Sequence, residues 1–402
     1  MATQNQTPAL RFKGYTFAWE QRKLGDIGRA TGGTAIESEF DNNGKYKVIS
    51  IGSYSENSVY TDQNLRAPLT EKTKDRILNK NDLTMILNDK TASGNIIGRV
   101  LLIDRDDSYV YNQRTERIEP CHQKYDSQFL YQMLNAPEIR SKIIKQAQGN
   151  TQIYVNWSAI KALHYLIPTR PEQQQIGHFF HTFDSAIALH KQKLNELKQL
   201  KKGYLQQMFP QAGETVPRMR FAGFNEAWKC NALGDMVEIV MGQSPDSKNY
   251  TDNPNDYILV QGNADMKNGK VIPRVWTTQI TKTAQKGDLI ISVRAPVGDI
   301  GKTDYDIILG RGVAAVKGNE FIFQTLSRMK SFGYWERVSS GSTFESINSS
   351  DLKDVQILFP ALAEQTVIGN FFYAFDAKIT AQTQKIKQLR QLKNAYLQRM
   401  FI

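Results

Sequence analysis

Hydrophobic positions along the chain follow two different rhythms. In two long stretches they step by alternating four and three residues. The first runs through Ile176, Phe180, Phe183, Ile187, His190, Leu194, Leu197, Lys201, Tyr204 and Met208. The second runs through Ile368, Phe372, Phe375, Ile379, Gln382, Ile386, Leu389, Lys393, Tyr396 and Met400. This is the heptad seam of a long helix that packs against another helix. Pro168 and Pro171 precede the first stretch and Pro210 closes it, as expected at helix ends. A helix over residues 172–209 would be a rod of ~57 Å at 1.5 Å per residue. The polar seam positions fall at the same places in both copies, so the two helices are expected to pair with each other, antiparallel, as a coiled coil.

Elsewhere the rhythm is that of strands. Short apolar runs at 48–51, 83–87, 100–103, 257–260 and 289–293 lie between Gly, Asn and Asp clusters. Residues 126–146 and 321–338 read as helices. Each region outside the long helices is therefore a mixed globule. The expected fold is α+β: two mixed α/β domains joined by two long antiparallel coiled-coil helices, pseudo-two-fold symmetric. The expected boundaries are 1–167 for the first globule, 168–216 for the central helix and linker, 217–359 for the second globule and 360–402 for the last helix.

The chain repeats itself. Arg11-Phe12-Lys13-Gly14, Ala18-Trp19-Glu20 and Leu24-Gly25-Asp26 recur 209 residues later as Arg220-Phe221-Ala222-Gly223, Ala227-Trp228-Lys229 and Leu233-Gly234-Asp235. The later match has an offset of 192, and residues 168–209 and 360–401 are identical at 21 of 42 positions. Ends and helices are kept while the middles diverge, so one scaffold carries two different inserts. Residues 220–228 follow the first long helix. By symmetry, residues 11–19 are expected beside the end of the second.

Composition narrows the chemistry. Lys plus Arg number 51 against 40 Asp plus Glu, a formal charge of +11, which favours an anionic partner. The two cysteines, Cys121 and Cys230, make no disulfide scaffold and suit a reducing compartment. No run of 18 apolar residues occurs, and the polar start carries no apolar signal core, so a cytoplasmic protein with no membrane partner is expected.

Several segments imitate catalytic motifs. Gly301-Lys302-Thr303 resembles the end of a phosphate-binding loop, but Pro296 stands where its first glycine belongs. Asn253-Pro254-Asn255-Asp256-Tyr257 lacks the second proline of an amino-methyltransferase motif. His178, His181 and Asp184 have helical spacing, yet Asn370 and Tyr373 replace both histidines in the other copy. No catalytic residues and no metal ligands are assigned. An enzyme and a purely structural coiled-coil adaptor remain as competing readings. Two different globules on one rod fit a DNA reader better, because reading heads sit one or more turns of ~34 Å apart.

On these residues the chain resembles the specificity subunits of type I restriction–modification systems, the HsdS family. The carriers are the duplicated segments above, Gly149-Asn150-Thr151 and Gly341-Ser342-Thr343, and Glu172-Gln173 and Glu364-Gln365 ahead of the helices. To these are added Gly242-Gln243-Ser244-Pro245 and the stretch from Lys286-Gly287-Asp288-Leu289 to Gly298-Asp299-Ile300-Gly301. One departure is Gly33-Thr34-Ala35, where a Gly-x-Ser/Thr-Pro stretch is usual. The resemblance implies that the globules are target recognition domains, each reading one half of an asymmetric bipartite DNA site. It implies that the helices are spacers that dock two modification subunits. S-adenosylmethionine, ATP and Mg are expected on the modification and restriction subunits, with no cofactor on this non-catalytic chain.

Base reading favours Arg on guanine and Asn or Gln on adenine, while phosphate contacts come from Lys, Arg, hydroxyls and backbone N–H. The DNA-contact candidates are Lys90, Arg99, Gln113, Arg114, Asn150 and Thr151 in the first domain, and Ser244, Arg294, Lys302, Arg311, Ser342 and Thr343 in the second.

Overall fold

The computed structural model describes residues 7–91, 93–339 and 346–402. The chain packs as two units: residues 1–192 with 384–402, and residues 193–383. These limits do not follow the boundaries expected at 168, 217 and 360. Each unit consists of a globule and one half of each long helix, because the helix halves supply part of each globule's core.

The long helices span Arg170–Gln207 and Leu362–Met400. In the first unit the start of one lies against the end of the other, antiparallel. Phe179 and Phe183 meet the Tyr396 ring at 5.1 and 5.8 Å, and Phe180 stacks on Phe401 at 5.7 Å. The second unit repeats this, with Tyr204 against Phe371 and Phe375 at 5.1 and 5.6 Å and Phe209 against Phe372 at 6.0 Å. The apolar seam residues fall into two groups. Ile176, Phe180, Ile187, Ile368, Phe372 and Ile386 are buried, while Phe183, Leu194, Leu197, Phe375, Ile379 and Leu389 are half-buried.

The two seam lysines have a physical reason. Lys393 Nζ lies 2.6 Å from Asp184 Oδ1, and Lys201 Nζ lies 2.6 Å from Asp376 Oδ1. The second oxygen of each Asp accepts from Gln132 Nε2 at 2.7 Å and from Gln324 Nε2 at 2.8 Å, tying helix pair to globule. Asp184 is therefore engaged. Among the described residues no group of three His, Cys, Asp or Glu is placed to hold a metal.

The Glu-Gln pairs lie in the first turns of the helices and are structural. Glu172 is fully buried and takes both Arg11 Nε (2.6 Å) and Arg11 Nη2 (2.8 Å). Glu364 takes Arg220 in the same way at 2.7 and 2.8 Å. Gln173 Nε2 donates to the Pro168 carbonyl and Gln365 Nε2 to the Pro360 carbonyl. The tryptophans of the two copies differ: Trp19 Nε1 donates to Glu172 Oε1 at 3.4 Å, while Trp228 Nε1 has no partner among the described residues. Residues 11–19 do lie beside the end of the second long helix. Leu10 N–H donates to the Arg399 carbonyl at 2.9 Å, and the Trp19 ring lies 6.4 Å from Phe401.

Each globule contains an antiparallel sheet of the same design. In the first unit the strand order is Gly28–Gly32, Thr115–Pro120, Leu83–Ile86, Val100–Leu102. In the second it is Ile239–Met241, Val313–Val316, Leu289–Ser292, Ile300–Lys302, extended by Lys270–Val271, which runs parallel to the last of these, and by Met266–Lys267. A second sheet in each is built around a parallel pair, Tyr46–Ile49 with Tyr109–Tyr111 and Tyr257–Val260 with Ile307–Leu309. The helices expected at 126–146 and 321–338 are each two. Pro137 starts a new helix after Ser127–Asn135 because it cannot continue the first. Gly333, at φ +68°, breaks the other between Glu320–Ser331 and Tyr334–Val338. Among the described residues no helix is long and apolar enough to cross a membrane.

Candidate nucleic-acid interface

The strand ladders align the two globules residue by residue. Gly33 N–H donates to the Thr115 carbonyl, and Gly242 N–H to the Val313 carbonyl. A Cβ on Gly33 would lie 2.0 Å from the Asn112 carbonyl oxygen, and one on Gly242 would lie 2.0 Å from that of Gly310. Only glycine lets the turn after the edge strand approach the loop before the central strand so closely. Gln113 thus stands where Arg311 stands. Ile86 pairs with Thr115 and Ser292 with Val313, so Asn88, two residues on, stands where Arg294 stands.

In the second unit this junction opens as a cleft of about 500 Å³ lined by Ser244, Tyr250, Gln261, Asn263, Arg294 and Arg311 among others. Among the described residues no carboxylate lines it. Ser244 Oγ accepts from Arg311 N–H at 3.1 Å and so fixes the loop that carries the arginine. Gln261 Nε2 donates to the Tyr250 hydroxyl at 2.8 Å. Two guanidinium groups facing a polar cleft can grip guanine O6 and N7 or phosphate oxygens, and the amides can take adenine. The structure thus brings Ser244, Arg294 and Arg311 together. It leaves Lys302 out: this side chain lies 3.5 Å from Glu320 Oε2, on a sheet strand. That strand also accounts for the apparent phosphate-loop motif, which here opens no helix.

The first unit carries different groups at the same junction. Asn112 Nδ2 and Gln113 Nε2 both donate to Glu37 Oε1, at 3.0 and 2.8 Å. These bonds, more than the nearby Arg114 charge, hold the Glu37 carboxyl below its usual range. Arg114 is exposed at φ +66°. Arg76 donates through Nε and Nη2 to Thr34 Oγ1, at 3.1 and 2.8 Å, and its guanidinium lies 5.7 Å from the Tyr111 ring.

The remaining candidates scatter. Lys90 is exposed and lines a separate hollow with Tyr54 and Asn95. Arg99 stands on the ladder where Asp299 stands: Ile86 N–H donates to the Arg99 carbonyl and Ser292 N–H to that of Asp299. It faces the long helices rather than the junction. Asn150 and Thr151 are exposed on a loop closed by paired bonds between Gln148 and Tyr154. Ser342 and Thr343 lie outside the described residues. Sequence reading missed Arg76, Asn88 and Asn112 in the first unit, and Tyr250, Gln261 and Asn263 in the second. The ladder finds Asn88 and Asn112, the bonds to Thr34 find Arg76, and the cleft lining finds the other three.

Comparison with known proteins places this geometry in a family. The model of the type I restriction modification DNA specificity domain matches twice, at residues 18–199 and 225–391. A type I restriction enzyme MjaX specificity subunit of Methanocaldococcus jannaschii is 29% identical over 69% of this chain and 66% of its own length. The MjaVIII specificity subunit of the same organism is 24% identical over 46% of this chain and 44% of its own. The chain thus spans less than two thirds of these relatives. Among solved structures, the type I restriction–modification S subunit of M. genitalium superposes with TM-score 0.67 at 15% identity, covering 98% of this chain and 99% of that one. A chain from a type I R-M system, solved for complex assembly and conformational transition, gives 0.56 at 21% identity, covering 94% and 96%. With the specificity-domain model matched in both halves, the chain belongs to the HsdS family of type I restriction–modification specificity subunits.

Proposed function

We propose that this chain directs its partners to an asymmetric, split DNA target, reading one half-site with each globule. Specificity subunits are the non-catalytic members of these systems. The observation that carries the reading is the contrast at one ladder position. Arg311 faces the cleft of the second unit where the first has Gln113, bonded with its neighbour Asn112 to Glu37. A shared frame with unlike hydrogen-bonding groups at the same place is what two different half-sites require. In this reading the arginine cleft takes guanine or phosphate. The amide junction takes adenine, with Glu37 released to, or orienting for, a cytosine N4 donor. Double-stranded DNA and two modification subunits are the proposed partners, with restriction subunits joining them in the cytoplasm. S-adenosylmethionine, ATP and Mg belong to those partners.

Reconstitution with a modification subunit, followed by genome-wide mapping of methylated adenines, tests this. A split, asymmetric motif that depends on this chain is the expected result. A stable complex that yields no new methylation contradicts the proposal. A methyl-transfer assay on the chain by itself should give no turnover.

A further inference from the structure

The first unit contains a second cavity, of about 270 Å³, where the globule meets its two helix halves. Five cationic side chains line it: Arg99, Arg140, Lys191, Arg390 and Lys393. Among the described residues two carboxylates do, and both are engaged. Asp184 accepts from Lys393 and Gln132, and Glu56 Oε1 accepts from Asn95 Nδ2 at 2.8 Å.

The cations are poorly compensated. Lys191 and Arg390, one from each long helix, are half-buried and make no ion pair or hydrogen bond among the described residues. Arg140 is buried and gives Nη2 to the Asn95 and Ile97 carbonyls, at 3.2 and 2.7 Å, while its Nε has no partner. Burial lowers the Arg140 pKa to about 10, and burial followed by the Arg390 charge lowers that of Lys191, against the smaller pull of Asp184. Bringing like charges together out of water is costly unless an anion joins them. The repeat shows that the frame does not demand it. The second unit has Thr383 at the position of Lys191, and Asp299 at the ladder position of Arg99.

We propose that this cavity binds a phosphate-type oxyanion, held by Lys191 and Arg390 with Arg99 and Arg140 on the globule side. The bound anion would tie the loop at residues 95–99 to both helix halves. The site belongs to the first unit alone, and its ligand chemistry is the same for a free phosphate and for a phosphate of a nucleic-acid backbone.

The test uses the full chain and inorganic phosphate, with ionic strength held constant by chloride. Thermal unfolding and ³¹P line broadening are compared for wild type and for Lys191→Thr combined with Arg390→Gln. The threonine is the residue of the twin position. Wild type should be stabilised progressively as phosphate rises. The variant should need about tenfold more phosphate or more, the loss of charge-assisted bonds. In chloride alone the variant should be at least as stable as wild type, since a repulsion has been removed; this separates loss of the site from loss of the fold. Equal phosphate shifts in both proteins, no shift beyond chloride in wild type, or a variant destabilised in chloride would each overturn the proposal. Added duplex DNA that displaces the phosphate signal identifies the backbone as the source. A signal indifferent to DNA identifies a free anion.

Discussion

Arg11 with Glu172 and Arg220 with Glu364 make the same two bonds in the two units, within 0.1 Å. Gln113 and Arg311 occupy the same ladder position and make no bond in common. The frame is duplicated where side chains hold globule to helix, and it diverges where side chains face solvent at the sheet junction. A buried ion pair has one good geometry, so both copies keep it. An exposed junction has no such constraint, and each copy can present its own hydrogen-bonding pattern.

The largest expected effects lie in the shared frame. Glu172→Ala and Glu364→Ala each leave a guanidinium largely buried without its carboxylate, which should cost about 3–5 kcal/mol. Urea denaturation should give losses of similar size for both. A large loss in one unit only would break the equivalence.

Next is a difference inside the frame. Glu116 is buried on the central strand of the first sheet, where the second unit has Ala314. Burial raises its pKa to about 7 from a usual 4.5. Between these values the folded chain holds a proton that the unfolded chain has released. Its contribution to stability is therefore complete below pH ~4.5 and is lost as pH rises through ~7, by an amount of order 1–3 kcal/mol. Glu116→Gln should be more stable than wild type at pH 8 by that amount and indistinguishable near pH 4. Denaturation curves across this range measure it.

Removing one reading group should cost about as much in binding as in discrimination. Arg311→Ala or Arg294→Ala should weaken binding of the assembled complex to its target by ~1–3 kcal/mol with no change in stability. Fluorescence anisotropy at fixed salt would register the loss, and equal affinity would remove that residue from the interface. The smallest effect is expected at the seam. Asp184→Asn and Asp376→Asn should each cost ~1 kcal/mol, because these ion pairs remain partly exposed.

The long helices were legible because a seam repeated over many turns is visible in one dimension, and the duplication showed which of its polar breaks were deliberate. The pairing of Lys201 and Lys393 with Asp376 and Asp184 was not legible, since it joins different helices. The candidate reading surface was the hardest part. Gly33 matches Gly242 and Val155 matches Ile347, but between them loops of different length shift the correspondence, so Arg99 matches Asp299 while Arg114 matches Gly312. A strand read one residue out of register presents its opposite face. Position in loops next to the strand runs suggested Arg99 and Lys302, which face a helix-lined cavity and a carboxylate on a neighbouring helix, and passed over Asn88 and Arg76.

The central claim is that the two units read different half-sites from equivalent positions. Mapping methylated adenines genome-wide in cells that carry a modification subunit with wild type, Gln113→Ala or Arg311→Ala tests it most directly. The account predicts a split motif in which Gln113→Ala relaxes one half and Arg311→Ala relaxes the other. Loss of discrimination in both halves from either substitution, or in the same half from both, would contradict it.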